Sequence, residues 1–201
     1  MKLLIAILLV AAAALLIGAV LVYEGLIEIA ADVPHSAIVY KVLETARDRA
    51  IAVRAKDINV PPLDDPQRIA KGATDYADMC TSCHLTPGDK ESELRKGLYP
   101  QPPDLTVRVQ ASAGEMFWVI KHGIKMSAMP AWGLTHDDER IWDLVAFIRK
   151  LPELTPAQYQ TLAGTNDQDA FGDRNDQGTH SAAEGARRHR HDHDHAAHKP
   201  H

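Results

Sequence analysis

The sequence of 201 residues predicts an all-α protein. An uninterrupted apolar run from Leu3 to Val22 opens the chain, three later segments combine helical periodicity with helix-capping residues, and no segment gives a convincing strand. We expect four parts: a transmembrane signal anchor at 1–23, a juxtamembrane amphipathic helix and linker at 24–62, a small compact helical domain at 63–153, and a disordered His-rich tail at 154–201.

The apolar run is long enough to cross a bilayer, because twenty helical residues span about 30 Å. A cleaved secretory signal has a shorter apolar core, of roughly 7 to 15 residues, that ends at a small-x-small site. The alanines that follow the run, Ala30 and Ala31, have no small residue two positions before them. A site within Ala11–Ala14 would cut the run in half. We therefore expect an uncleaved anchor rather than a cleaved signal or a buried core helix.

An amphipathic helix is predicted over residues 36–56. Apolar residues recur there at helical spacing: Ile38, Val39, Val42, Leu43, Ala46, Ala50 and Val53. Basic residues occupy other positions: Arg47, Arg49, Arg54 and Lys56. We favour a spacer that packs against the next domain, and the alternative is a helix that lies on the membrane or docks a partner. Pro61 and Pro62 end the segment.

Capping signals place three helices in the compact domain. Asp65 caps a helix that starts at Pro66 and runs to about Cys80. The second helix begins at Ser112, which forms a capping box with Glu115. The third is signalled by Thr135 with Asp138 and contains the apolar residues Ile141, Leu144, Val145 and Ile148. Gly123 ends the second helix and Pro152 ends the third.

Residues 80–84 carry the chemistry of the domain. They read Cys80-Thr81-Ser82-Cys83-His84, the C-x-x-C-H spacing that attaches a c-type haem, and they include both cysteines of the chain. A zinc site normally needs four protein ligands, a thioredoxin-like pair should lie in a βαβ unit, and a disulfide needs no histidine. The surrounding domain offers neither further zinc ligands nor strands. The motif therefore indicates one haem c, bound covalently through both sulfurs, with His84 on the iron.

Residues 63–153 resemble the class I c-type cytochromes of the membrane-anchored, single-haem bacterial kind. The resemblance rests on four segments: the first helix with Gly72 and Tyr76, the C-x-x-C-H motif, residues 123–133 with Met129-Pro130, and the last helix with residues 141–148. It implies an all-α fold in which the first and last helices cross at Gly72. It also implies haem attachment outside the cytoplasmic membrane, so that the domain faces the periplasm from the bacterial inner membrane. Lys2 before the apolar run and the acidic residues after it give weak support to the same orientation.

The resemblance also implies the remaining haem-binding residues. Met129 would be the second axial ligand, with Met126, three residues earlier, as the alternative. Pro103 would accept a hydrogen bond from the His84 ring, and Leu105 would lie against the haem face. His122 and His136 are other possible ligands, but a position at a helix terminus explains each of them more simply.

A haem with histidine and methionine on both axial positions has no open site for oxygen, peroxide or a substrate. We therefore expect an electron carrier and not an enzyme, with redox proteins as partners and with no nucleic acid or small-molecule substrate. A peroxidase-like enzyme would need a displaceable sixth ligand. The alternative to a free carrier is a subunit of a membrane dehydrogenase or oxidase complex, docked through the amphipathic helix. Four lysines are candidates for a basic rim, although the net charge is −5: Lys90, Lys96, Lys121 and Lys125.

The C-terminal tail is a separate candidate site. Its last residues contain six histidines, His189, His191, His193, His195, His198 and His201. Alternation with Asp192 and Asp194 supplies ligands that suit copper, nickel or zinc. The tail predicts either a periplasmic metal-handling role or a solvated segment that binds metal incidentally.

Overall fold

The computed structural model describes residues 1–107 and 110–172, with side chains described as far as residue 164. This part of the chain is helical and contains no β-strand, which confirms the predicted all-α fold. The helices are α1 (Lys2–Tyr23), α2 (Ala37–Ala55), α3 (Pro66–Met79), α4 (Thr81–His84), α5 (Glu93–Lys96), α6 (Ala113–His122), α7 (Asp138–Lys150) and α8 (Pro156–Gly172). Two 3₁₀ turns, Trp132–Leu134 and Leu151–Glu153, flank α7.

Helix α1 coincides with the apolar run at the N-terminus. It has 22 residues, almost all of them apolar, and no buried side chain. Such a helix has the length and composition of a membrane span, and a signal sequence near the N-terminus has the same features. The apolar side chains of α1 make no buried core with the rest of the described chain.

Helix α2 meets the compact domain through its last turns. Ser36 caps the helix by accepting a hydrogen bond from the backbone N–H of Val39 at 3.4 Å. Ala55 is buried, and the Arg54 guanidinium lies 6.0 Å from the ring centre of Trp118 in α6. The last turns of the helix therefore pack against the domain, and near its start the Tyr40 ring centre lies 6.5 Å from that of Tyr99. Several of its apolar side chains, including Ile38, Val42 and Leu43, stay exposed.

The core forms where α3 crosses α7. Asp65 caps α3 through the N–H of Gln67, at 2.9 Å, and Pro66 is its first residue. At Gly72 the two backbones approach so closely that an added Cβ would overlap the Asp143 carbonyl and lie 2.8 Å from the Phe147 Cβ. Most of α7 is buried in this core: Ile141, Trp142, Leu144, Val145, Ala146, Phe147 and Ile148.

The start of α7 differs from the prediction. Asp137, and not Thr135, caps the helix, because its carboxylate accepts from the N–H of Arg140 at 2.8 Å. The Thr135 hydroxyl instead donates to the Trp132 carbonyl at 3.3 Å, since the chain first makes a 3₁₀ turn. The capping box predicted for α6 is confirmed, with Ser112 and Glu115 bonded to each other's backbone N–H.

Helix α8 corrects the predicted boundary of the tail. Disorder was expected from residue 154, whereas Pro156–Gly172 is helical. Tyr159 is buried, and its ring centre lies 6.2 Å from that of Phe147, so the start of α8 covers the core. Few apolar residues mark this helix, which explains why its periodicity was weak. The histidines predicted to bind metal, at 189–201, lie outside the described residues.

Candidate functional site

The C-x-x-C-H motif forms a single tight turn between α3 and α5. Cys80 ends α3 and starts α4, and its carbonyl accepts from the N–H groups of Cys83 at 3.2 Å and His84 at 2.9 Å. Both cysteines are partly buried free thiols. The turn therefore presents two thiols and one imidazole within five residues, held in place by backbone hydrogen bonds.

The environment of Cys80 is unlike that of a metal-binding or redox-active thiol. Burial raises the pKa of Cys80 to about 12, and the nearby Asp75 carboxylate acts in the same direction. Zinc ligands and thioredoxin-like cysteines work as thiolates, which a lowered pKa favours. Within the described residues, no three His, Cys, Asp or Glu side chains form a group that could hold a metal ion. Burial thus works against the thiolate form at Cys80.

One nitrogen of the His84 ring is hydrogen-bonded, and the other is available as a ligand. Its Nδ1 lies 2.8 Å from the carbonyl oxygen of Pro103, the bond that the family resemblance implies. Because a carbonyl only accepts, Nδ1 carries the proton. Burial lowers the pKa of His84, which favours the neutral ring that metals bind. Nε2 is therefore the ring nitrogen that remains to coordinate an iron ion.

A buried tyrosine fixes the backbone around His84. The Tyr76 hydroxyl lies 2.7 Å from the Leu85 carbonyl and 3.2 Å from the His84 carbonyl, and the Leu105 N–H also donates to His84, at 3.2 Å. Tyr76 has no exposed surface. The sequence marked Tyr76 only as a family residue of the first helix. Its hydroxyl holds the turn from inside the core.

The segment that contains Met129 is closed by hydrogen bonds. The Ile124 N–H donates to the Met129 carbonyl at 3.1 Å, and the Met129 N–H donates to the Ser127 hydroxyl at 3.2 Å. Met129 is partly buried and packs against the core, whereas Met126 is 95% exposed. Of the two methionines considered as ligands, only Met129 lies against the interior of the domain.

Two glycines set the ends of this segment. Gly123 has a φ of +64°, and an added Cβ would lie 2.7 Å from the Met129 carbonyl oxygen. At Gly133 an added Cβ would lie 2.8 Å from the Lys121 carbonyl oxygen. The segment from 123 to 133 can therefore approach the end of α6 only because both positions lack a side chain.

The other predicted site residues make contacts of their own. His122 is exposed beside Trp118, with a ring separation of 5.0 Å, and His136 packs on Trp132 at 5.2 Å. Lys121, proposed for a basic rim, pairs with Asp138 at 2.5 Å, which offsets its charge. The three other rim lysines, Lys90, Lys96 and Lys125, are exposed.

The donor set fits a haem c. Two neighbouring thiols can form thioethers, His84 has a free ring nitrogen, and Met129 supplies a thioether sulfur. Cys80, Leu105 and Met129 all pack against the same apolar core. Apolar contact and paired ligands are what a haem needs from its protein. The chain would hold the haem through these residues, and the haem when bound supplies a one-electron couple.

One family model matches the domain that contains the C-x-x-C-H turn. Residues 67–148 match the family model described as "Cytochrome C oxidase, cbb3-type, subunit III". No solved structure matches the chain. The matched range runs from the first turn of α3 to near the end of α7, and it contains the C-x-x-C-H turn, Pro103 and Met129. The match therefore supports a class I c-type cytochrome domain in this part of the chain.

Proposed function

We propose that this chain is a membrane-anchored, periplasmic cytochrome that carries single electrons between redox proteins. One haem c is bound through Cys80 and Cys83, and its iron is held by His84 and Met129. The cytochrome domain accounts for haem-based electron transfer. The finer assignment to a single haem is supported by the cysteine count, since the chain has two cysteines in one motif.

The observation that carries the ligand assignment is the hydrogen bond between His84 Nδ1 and the Pro103 carbonyl, at 2.8 Å. Such a bond fixes the ring orientation of a metal-binding histidine and raises its basicity. With Nδ1 bonded to this carbonyl, Nε2 is the nitrogen that would bind the iron, and the two ring nitrogens would not exchange roles. The half-buried position of Met129 supports the second ligand.

The arrangement suits electron transfer better than substrate chemistry. A protein ligand on each axial position leaves no coordination site for an incoming molecule. The hydroxyls of Tyr76 and Ser127 bond to the main chain around His84 and Met129, which would keep the two ligands in place when the iron changes its oxidation state. We infer that the domain exchanges electrons at its surface with partner proteins.

The apolar helix α1 supports attachment to the membrane. All its residues are exposed, and thirteen residues, 24–36, connect it to α2. A tether of this kind confines the domain near membrane-bound partners and raises their effective concentration. The periplasmic orientation is supported by the C-x-x-C-H motif, because c-type haem is attached outside the cytoplasmic membrane in the family that the chain resembles.

Expression of the full chain in a bacterium that matures c-type cytochromes tests the proposal. We expect one haem per chain that stays attached after denaturing electrophoresis, and a C80A/C83A double variant without attached haem. The haem protein should sediment with membranes and be digested by protease added to spheroplasts. Haem that is released on denaturation, or a domain protected in intact spheroplasts, would contradict the proposal.

A second candidate function is that of a fixed subunit in a membrane oxidase complex. The matching family is described as an oxidase subunit, and α2 leaves apolar side chains uncovered, with Ile38 79%, Val42 62% and Leu43 52% exposed. Purification of the full chain from gently solubilised membranes tests this candidate. Stable co-purification of an oxidase, lost in an I38S/V42S/L43S variant that keeps its haem, would favour a subunit over a free carrier.

A further inference from the structure

A short helix next to the C-x-x-C-H turn connects the two segments that hold His84. Helix α5 spans only Glu93–Lys96, and Ser92 caps it by accepting from the Arg95 N–H at 3.1 Å. The same Ser92 hydroxyl donates to the carbonyl of Ser82 at 2.5 Å. Because Ser82 lies between the two cysteines, the residue that caps α5 is hydrogen-bonded directly to the haem-attachment turn.

Arg95 binds the loop that contains Pro102 and Pro103. Its Nε donates to the Pro102 carbonyl at 3.2 Å, and the next residue, Pro103, accepts the hydrogen bond from His84. The Arg95 side chain is only 13% exposed. A single residue of α5 thus holds the loop that orients the histidine, while its cap holds the turn from which the histidine projects.

Arg95 also brings a positive charge to this region. Its guanidinium pairs with the Glu91 carboxylate at 3.0 Å, and the Glu91 side chain is 31% exposed. The guanidinium is bonded to the Pro102 carbonyl, and the adjacent Pro103 carbonyl is bonded to the His84 ring, so the positive charge lies close to the imidazole. The more solvated Glu91 offsets only part of the field of that charge, since solvent screens it more strongly.

We propose that Arg95 is a positioning residue for His84 and that its charge raises the reduction potential of the haem iron, with Glu91 moderating the effect. The inference rests on the proposed haem ligation. An oxidised haem centre carries one more positive charge than a reduced one. A nearby partly buried cation therefore disfavours oxidation, and hydrogen bonding and charge near the axial ligand are established means of tuning the potential.

Four variants of the full-length haem protein test the inference by spectroelectrochemical titration. R95Q should lower the reduction potential because it removes the charge. E91Q should raise it because the arginine charge is then uncompensated. R95K retains the charge and should lie between R95Q and the wild type. Lys96 is the matched control: K96Q removes the same charge from an exposed residue of the same helix and should change the potential least.

The positioning role has its own measurement. Loss of the Arg95 hydrogen bond frees Pro102, so the Nδ1 proton of His84 should exchange with solvent faster in R95Q than in K96Q, as followed by NMR. Equal potential shifts in R95Q and K96Q, or shifts of the same sign in R95Q and E91Q, would overturn the inference. Those outcomes in proteins that retain normal haem spectra would leave the proposed function intact, whereas absence of haem from the wild type would overturn the proposed function itself.

Discussion

The hydroxyl of Tyr76 lies 2.7 Å from the carbonyl oxygen of Leu85, across the base of the C-x-x-C-H turn. Leu85 is 1% exposed and has a φ of +68°, a conformation that a branched side chain rarely adopts. The tyrosine therefore satisfies a buried carbonyl at the point where the chain leaves His84 in a strained turn. Its hydroxyl links the α3–α7 core to the haem-attachment motif.

Replacement of Tyr76 by phenylalanine should destabilise the haem protein by about 1 to 3 kcal/mol, because a buried carbonyl loses its partner. Chemical denaturation measures the change. The control is Y159F, since Tyr159 is also buried and packs on the same Phe147, while the described residues provide no hydrogen-bond partner for its hydroxyl. Equal losses in the two variants would show that the Tyr76 hydroxyl contributes nothing specific.

Substitution of Gly72 by alanine should prevent normal crossing of α3 and α7. The new Cβ would overlap the Asp143 backbone, which cannot move aside as a flexible side chain would. We expect a loss of about 3 kcal/mol or more, at the upper end of the usual cost of overpacking. Thermal unfolding of the haem protein measures it.

Gly164 of α8 provides the control for Gly72. Among the described residues, no atom outside the adjacent backbone of its own helix lies within 4 Å of a Cβ added there. G164A should therefore leave stability unchanged or raise it by up to about 1 kcal/mol, through higher helix propensity. A G72A protein as stable as G164A would mean that the helix crossing tolerates a side chain.

Replacement of Met129 by alanine should remove the weak near-infrared band from sulfur to ferric iron and lower the reduction potential, because a methionine ligand raises it. M126A should change neither, since Met126 is 95% exposed. Absorption spectra of the oxidised proteins distinguish the two. Loss of the band in M126A with its retention in M129A would exchange the roles of the two methionines.

Deletion of residues 186–201 should abolish tight binding of copper, nickel or zinc and leave the reduction potential unchanged. The deleted segment contains the six closely spaced histidines. Calorimetric titration with each metal measures binding, and deletion of residues 173–185 serves as the control. Undiminished metal binding after the first deletion would exclude the tail as a metal site.

Local signals in the sequence predicted the helices well. The Asp65-Pro66 pair marks the start of α3, and the Ser112–Glu115 capping box marks α6, because each signal acts through hydrogen bonds within one turn. Prediction was wrong where a local pattern points to the wrong capping residue, and where contacts with the core, rather than local sequence, stabilise the helix. The pattern of Thr135 with Asp138 predicts the wrong cap for α7, since Asp137 caps it, and the prediction of disorder overlooks α8, whose buried Tyr159 packs on the core beside Phe147.

The same distinction applies to the site. The C-x-x-C-H motif and Met129-Pro130 are visible as sequence patterns, and the hydrogen bond from His84 to Pro103 followed from the family resemblance. The roles of Ser92 and Arg95 were not predicted. Both side chains bond to backbone carbonyls, at Ser82 and Pro102, and any residue type supplies such a carbonyl. A contact with the main chain leaves no signature at the accepting position.

The glycine contacts at both ends of residues 123–133 have a practical consequence. Gly123 and Gly133 hold the ends of the segment against backbone atoms, so the side chain at its outer tip has no part in closing it. Met126 occupies that tip and is almost fully exposed. A fluorophore attached at position 126 would therefore report on the ligand segment, and a linker attached there would connect the segment to an electrode. Neither should disturb the contacts at Gly123 and Gly133.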